Sequence, residues 1–442
     1  MDAIPASGWA QALPSRHELL RLWLVRLFWV SLALVLGGIA AVFSTTVYLR
    51  IAQGLPPYRE FVRHLLFIGF AGGLVLLLLF VGLKSRPIRR WARFVIPIIY
   101  ACSLVLVALV KFSPWGRSHD GATMTLAFGG FSFQPSELLK LTVTLYLAQL
   151  LCWWRDPAGA DEGESRPQID GFGAWLRHLF SRRTHRAVWP ELPRRCVLVM
   201  LLPVFLTVVQ KDFGSASIIL GVGLVTLLLA GVDWRQLAAS MALVAVLLAG
   251  IVFVKPDFVA HIRHRLDVYF ALLQNRPVDD NGAGYQISQS RGALALGGMF
   301  GRGYLHSEQK LNRLPVSTED FVYPIMVEEF GYAGGVAIML LFLALAWIGL
   351  NLANACRDPF NRTVIAGLGL ALCIQAMVNI GTTIGTLPVT GLTLPFFSEG
   401  GTSIVVSILA LGIMGALALS EMQPEAAGEA IEHTTAIPAA PR

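Results

Sequence analysis

LPVSTEDFVYPIMVEEFGYAGGVAIMLLFLALAWIGL, Leu314–Leu350, passes from a polar, proline-bearing segment straight into an apolar run. From Val322 the run exceeds the ~20 helical residues that cross a hydrocarbon layer of roughly 30 Å, yet it carries Glu328 and Glu329. Acids at that depth are costly unless they face protein or water, so their helix belongs inside a bundle. A second acidic pair, Glu319 and Asp320, stands just before the apolar run.

Working outward from this stretch, similar runs recur along the chain. Of its 442 residues 55% are hydrophobic and 14% charged, and the mean hydropathy is +0.62, more apolar than a soluble domain of this length. The composition predicts an all-α polytopic membrane protein of about ten transmembrane helices. Their expected positions are 27–49, 62–83, 94–112, 133–153, 196–211, 213–231, 235–254, 322–350, 363–385 and 401–420. Gln210, Lys211 and Asp212 separate the fifth and sixth with almost no loop, so these are two spans or one broken helix.

Lys and Arg in short loops stay on the cytoplasmic side. KSRPIRRWAR (84–93) is the strongest such signal, and it also places 154–195 and NACRDPFNR (354–362) inside, with both termini cytoplasmic. The expected organisation is a cytoplasmic N-terminal segment (1–26), a transmembrane domain (27–420) and a disordered cytoplasmic tail (421–442). Within the domain, 154–195 is a flexible cytoplasmic loop. Residues 255–321 form a large extracytoplasmic loop between helices 7 and 8, too long for the charge rule to govern. Its GAGYQISQSRGALALGGMFGRGYL (282–305) is too apolar for a plain linker and is expected to form short helices against the outer mouth of the bundle. No cleavable signal is read in the first 26 residues, and helix 1 is taken as an uncleaved anchor. The five cysteines show neither a disulfide framework nor zinc spacing. The net charge of +7 flanks helices and builds no nucleic-acid-binding face.

The topology gathers ionisable groups at the outer face. Glu137 and Lys140 in FQPSELLKL, three residues apart, share a helix face, as a structural ion pair or an anion-handling site. Asp212 and Asp320 are helix caps or site residues, and Glu399 lies in a Pro/Gly-rich connection before the last helix. Arg263, Arg265, Arg291 and Arg302 fall on the same side, as solvated loop charges or as a mouth for an anionic headgroup.

FQPSELLKL (133–141), QKDFGS (210–215), GAGYQISQS (282–290), GGMFGRGYL (297–305), QKLNRLPVSTEDF (309–321), EEFG (328–331) and NIGTTIGTLPVTGLTLPFFSEGGTS (379–403) together resemble the SEDS family of shape, elongation, division and sporulation proteins, the FtsW/RodA/SpoVE group. The chain resembles a divergent member, closer to FtsW. The resemblance implies a ten-helix fold in the bacterial cytoplasmic membrane and a peptidoglycan glycosyltransferase that polymerises lipid II at the outer face during division or elongation. It implies Asp320 as the catalytic base, with Glu137, Lys140, Asp212, Arg263, Arg265, Gln286, Ser290, Lys310, Glu319 and Glu399 binding substrate or supporting the site. Lipid II, undecaprenyl-linked glycan, membrane lipids and a class B penicillin-binding transpeptidase are the implied partners. Arg265, Lys140 or a divalent cation (Mg or Mn) could offset the pyrophosphate charge, although no compact metal motif is present. The alternatives are a lipid-linked precursor transporter and a silent scaffold for a transpeptidase.

The chain departs from the family pattern at four places. Lys211 stands within QPD, Thr318–Glu319 within HTDF and Glu399 within SYGG, and Met124 and Thr125 replace an Arg-Trp pair. The last change removes a cation and an aromatic from the implied glycan site.

Overall fold

A computed structural model describes residues 15–84, 88–119, 122–128, 131–155, 194–230, 256–274, 282–311 and 318–422, with isolated positions at 232, 235, 237, 238, 241, 242, 245, 246, 276 and 314. The expected flexible loop (154–195), seventh span (235–254), N-terminal segment and tail lie wholly or mostly outside the described residues.

Helix α1 (Arg16–Ala52) starts well before the expected residue 27 because Ser15 and Glu18 form a reciprocal capping box. α2 (Arg59–Lys84) and α3 (Ile88–Phe112) follow. Next comes an antiparallel sheet that the reading by apolar runs did not anticipate: β1 (Gly116–His119), β2 (Ala122–Phe128) and β3 (Phe131–Phe133), in that order. The intervening dipeptides in the sequence are DG and GG, both hairpin signals. The chain continues with α4 (Pro135–Arg155), α5 (Arg194–Val209) and α6 (Phe213–Leu229). Then come α7 (Pro256–Leu273), α8 (Ala283–Gly297), α9 (Val322–Ala355), α10 (Pro359–Thr383) and α11 (Gly401–Ser420).

Every expected span except the seventh coincides with one of these helices. Six of them, α1, α2, α3, α9, α10 and α11, are long and apolar enough to cross a membrane by length and composition, and α5 and α6 are shorter apolar helices. The ambiguity at 210–212 resolves as two helices: Lys211 turns the chain at φ 64°, and Asp212 caps α6 by accepting from Ser215 N at 2.9 Å.

One core joins α1, α9, α10 and α11 around Phe342, Phe396 and Phe397, and a second lies among α3, α4, α5 and α6. α4 and α6 both pack on α10, which couples the two. The expected short helices of 255–321 are present as α7 and α8, and α8 lies against α9.

α9 is broken at Gly331 (φ 75°, ψ −179°), and residues 298–303 are spliced into the break. Arg302 N and Gly303 N donate to Glu328 O and Glu329 O, while Tyr332 N and Ala333 N donate to Gly298 O and Met299 O. Non-helical backbone at membrane depth is tolerable when protein groups satisfy it in this way. The contact is so close that a Cβ on Gly331 would lie 2.3 Å from Met299 O, and one on Gly301 2.1 Å from Glu329 O. The glycines of GGMFGRG are therefore those of a backbone splice.

The two ends of the described chain meet at one end of the bundle. Glu421 accepts from Asp358 N (2.9 Å), Asn361 Nδ2 (2.9 Å) and Arg357 N (3.1 Å) and pairs with Arg16, which also donates to Ala355 O. Burial pushes the Glu421 pKa up, but these donors together hold it below the usual carboxylate value.

Candidate functional site

The opposite end of the bundle carries the polar groups. A loop after α10, residues 384–400, runs across it and meets Arg265, the Asp320 turn and the Asp212 end of α6. Asn379 Nδ2 on α10 donates to Leu392 O in this loop (2.5 Å) and to Asp320 O (2.9 Å), so the turn 318–320 is fastened to the loop. A second link joins Glu399 N to Thr318 O at 2.8 Å. Asp320 is half-buried, and a Cβ on Gly391 would lie 3.4 Å from its Oδ2. Arg265, on α7, donates to Val389 O at 2.9 Å, two residues from that contact. Thr390 O lies 2.6 Å from where a Cβ on Gly214 would stand, which brings the Asp212 end of α6 against the same loop.

Next to the turn is an open cavity of about 410 Å³, lined in part by Arg50, Glu60, Arg63, Thr318, Glu319 and Glu399. Glu60 pairs with both Arg50 and Arg63, and Arg63 also reaches Glu399 at 3.3 Å. Burial first, and Glu60 next, push the Glu399 carboxyl up to about 7, against the pull of Arg63 and the Thr318 hydroxyl; Glu319 adds to the rise. Near neutrality Glu399 therefore exchanges a proton beside a cavity that holds two guanidinium groups.

Glu137 and Lys140 form the expected ion pair on α4 at 2.7 Å, and Lys140 Nζ also donates to Gln375 Oε1 at 2.6 Å. Both are buried and border a separate space of about 30 Å³, large enough for about one water and too small for a sugar. Asp212 is 3% exposed and is reached by Ser136 Oγ at 3.5 Å.

Lys310 does not face the cavity. It is 1% exposed, donating to Glu329 Oε1 at 2.6 Å and to Ser44 Oγ at 3.1 Å. Glu328 accepts from Ser307 Oγ (2.5 Å) and Glu308 N (2.9 Å), so both acids of α9 anchor residues 307–310. Ser290 Oγ bonds Thr383 O at 2.5 Å and ties α8 to the end of α10; half-buried Gln286 lies one turn earlier on α8. Arg263 is exposed, and Arg302 pairs with Glu308 at 2.7 Å. Among the described residues no group of three or more His, Cys, Asp or Glu is placed to hold a metal ion.

Arg50 and Arg63 escaped the sequence reading. Their signal was available: two arginines and Glu60 flank the short connection 53–58, which the charge rule puts on the outer side, where arginines are the exception. Met124 and Thr125, where the resemblance implies an Arg-Trp pair, lie on β2. The paired strand sets Arg117 opposite Thr125, with exposed Trp115 two residues before it. Arg117 on β1 and Trp115 in the turn before it thus put a cation and an aromatic at the same hairpin.

Comparison with known proteins places this arrangement. The chain is 30% identical over 410 residues to the probable peptidoglycan glycosyltransferase FtsW of Neisseria gonorrhoeae, covering 88% of this chain and 83% of that one. It is 30% identical over 345 residues to the peptidoglycan glycosyltransferase MrdB of Escherichia coli K12, covering 78% and 82%. A solved chain described under "Structural coordination of polymerization and crosslinking by a peptidoglycan synthase complex" superposes with TM-score 0.62 at 27% identity, covering 90% of this chain and 98% of that one. The cell cycle protein family of FtsW, RodA and SpoVE matches residues 25–423, nearly the whole helical bundle together with the loop and turn that carry Asp320, and the chain belongs to that family.

Proposed function

We propose that the chain is a peptidoglycan glycosyltransferase that polymerises lipid II, with the cavity beside the Asp320 turn as its substrate site. The observation that carries this reading is the juxtaposition of that turn with an open cavity of about 410 Å³ holding Arg50 and Arg63. Relatives named as peptidoglycan glycosyltransferases support it. In this reading the cavity faces outward and both termini are cytoplasmic, in keeping with the charge rule and with the described chain ends near Arg16 and Glu421 lying at the end of the bundle opposite the cavity. A class B penicillin-binding transpeptidase is the working partner, in keeping with a structural relative from a peptidoglycan synthase complex.

The chemistry is a single inverting displacement. Asp320 takes the proton of the acceptor 4-hydroxyl as its oxygen attacks the anomeric carbon of the lipid-linked donor. The bond from that carbon to the pyrophosphate oxygen breaks, and the lipid pyrophosphate leaves with the electron pair. Arg50, Arg63 and Arg265 stabilise the growing charge on the leaving group. Glu319 and Glu399 tune the local field and contact the sugars, while Glu137, Lys140, Asp212 and Lys310 hold the frame.

Purified full-length protein with its transpeptidase is expected to convert lipid II into glycan chains resolved by electrophoresis. Well-folded protein that makes no polymer but moves lipid II headgroups across liposomes would replace this reading with a transporter. Retained transpeptidase binding with neither activity would mark a scaffold.

A further inference from the structure

Gln375 and Asn379 lie one turn apart on α10 and reach toward the same loop. The sequence reading assigned a role to neither. Asn379 is 1% exposed, and its Nδ2 serves two carbonyl oxygens, Asp320 O and Leu392 O. Carbonyl oxygens only accept, so the amide has one possible orientation. That orientation leaves the buried Oδ1 without a hydrogen-bond partner among the described residues.

Gln375, 4% exposed, is oriented by the same logic. Its Oε1 accepts from Lys140 Nζ at 2.6 Å, and its Nε2 donates to Thr393 O at 3.1 Å. Lys140 is held in turn by Glu137 at 2.7 Å. Hydrogen bonds therefore run from the Glu137–Lys140 pair through Gln375 to Thr393 O, and from the adjoining loop residue Leu392 through Asn379 to the main chain of Asp320, the two halves joined by the covalent chain between Leu392 and Thr393. The walls of the large cavity include Thr318 and Glu319, the neighbours of Asp320 on its turn, whereas Glu137, Lys140 and Gln375 border only the 30 Å³ space.

We propose that Asn379 and Gln375 are positioning residues of the reaction. Asn379 fixes the Asp320 turn against the loop, and Gln375 transmits the rigidity of the Glu137–Lys140 pair to the next loop residue. The inference rests on the reading of Asp320 as the base. A general base must stay within hydrogen-bond reach of the proton it removes, and a displacement of about 1 Å can cost ~100-fold in rate. Residues 318–320 belong to no helix or strand, so their place is set by such contacts.

The test is steady-state lipid II polymerisation by the full-length chain with its transpeptidase, each variant normalised to folded protein by thermal melting. Asn379→Leu keeps the branched shape and removes both N–H donors; it is expected to lower kcat about 100-fold and to change KM for lipid II by less than about twofold. Should Asn379→Leu fail to fold, Asn379→Gln retains the amide on a longer stem and is expected to show the same kcat-selective loss. Gln375→Leu is expected to lower kcat about tenfold, and combining it with Lys140→Met is expected to slow the enzyme no further than the slower single variant. Wild-type kcat per folded molecule in the Asn379 variants, or a loss carried by KM, would overturn the proposal. Asp320→Asn running at the wild-type rate would instead overturn the base assignment, and the proposal with it.

Discussion

Glu319–Asp320 and Glu328–Glu329 flank the first turns of α9 and are held in opposite ways. The deeper pair is at most 1% exposed, and its carboxylates are engaged by Ser307, Glu308 N, Ser44 and Lys310. The shallower pair lies on a turn fastened at Thr318 O and Asp320 O, with Glu319 exposed on the cavity wall and Asp320 half-buried. In the first pair the side chains hold the backbone; in the second, contacts to the backbone hold the side chains in place. Carboxylates of the first kind serve stability and those of the second kind suit chemistry, and substitution separates the two.

The largest effect on stability is expected at the deep pair. Lys310→Met leaves Glu329 buried without its cation, and one-sided removal from a buried pair costs about 3–5 kcal/mol. The thermal melt of the purified protein is expected to collapse, whereas Asp320→Asn is expected to melt like the wild type. Equal melting of the two variants would erase the distinction. Gly331→Ala comes next: with φ 75° and Met299 O 2.3 Å from the new Cβ, the α8–α9 splice must open, at a cost of about 1–3 kcal/mol. A variant as stable as wild type would show that the splice does not hold α9.

Smaller effects belong to the cavity. Arg63→Ala removes a guanidinium that faces both Glu60 and Glu399 and is expected to raise KM for lipid II about tenfold, since a charge-assisted bond is worth roughly 1.5–3 kcal/mol. Glu399→Gln tests the raised carboxyl. In the native protein Glu399 binds its proton up to about pH 7, against 4.5 for the ordinary group. The folded state therefore holds more protons across that window, and this contribution to stability is lost as pH rises through it. The melting temperature of Glu399→Gln relative to wild type is expected to rise between pH 4.5 and 7 and then level off. A pH-independent difference would mean that the carboxyl is already ionised at acid pH. The smallest effect is expected at Arg117→Ala, a severalfold loss of kcat/KM if the hairpin supplies the cation missing at Met124.

What the sequence revealed and what it concealed divide along the range of the interactions. Spans were legible because apolar length is local, and the Glu137–Lys140 pair and the Asp212 cap because they form within one turn. Lys310 was placed among substrate-binding or supporting residues because its partners, Ser44 and Glu329, adjoin it only in the fold. Arg63 meets Glu399 across most of the chain, and Asn379 meets Asp320 through a loop whose path no periodicity encodes. The hairpin at 116–133 was hidden by its shortness between two long apolar runs, despite its DG and GG dipeptides.

The central claim is that Asp320 does chemistry while its neighbours on α9 hold the fold. It is tested most directly by lipid II turnover per folded molecule in Asp320→Asn, with the transpeptidase present. The account predicts a loss of ~10³-fold, within the range contributed by a general base, at an unchanged melting temperature. Turnover within about tenfold of wild type would contradict it.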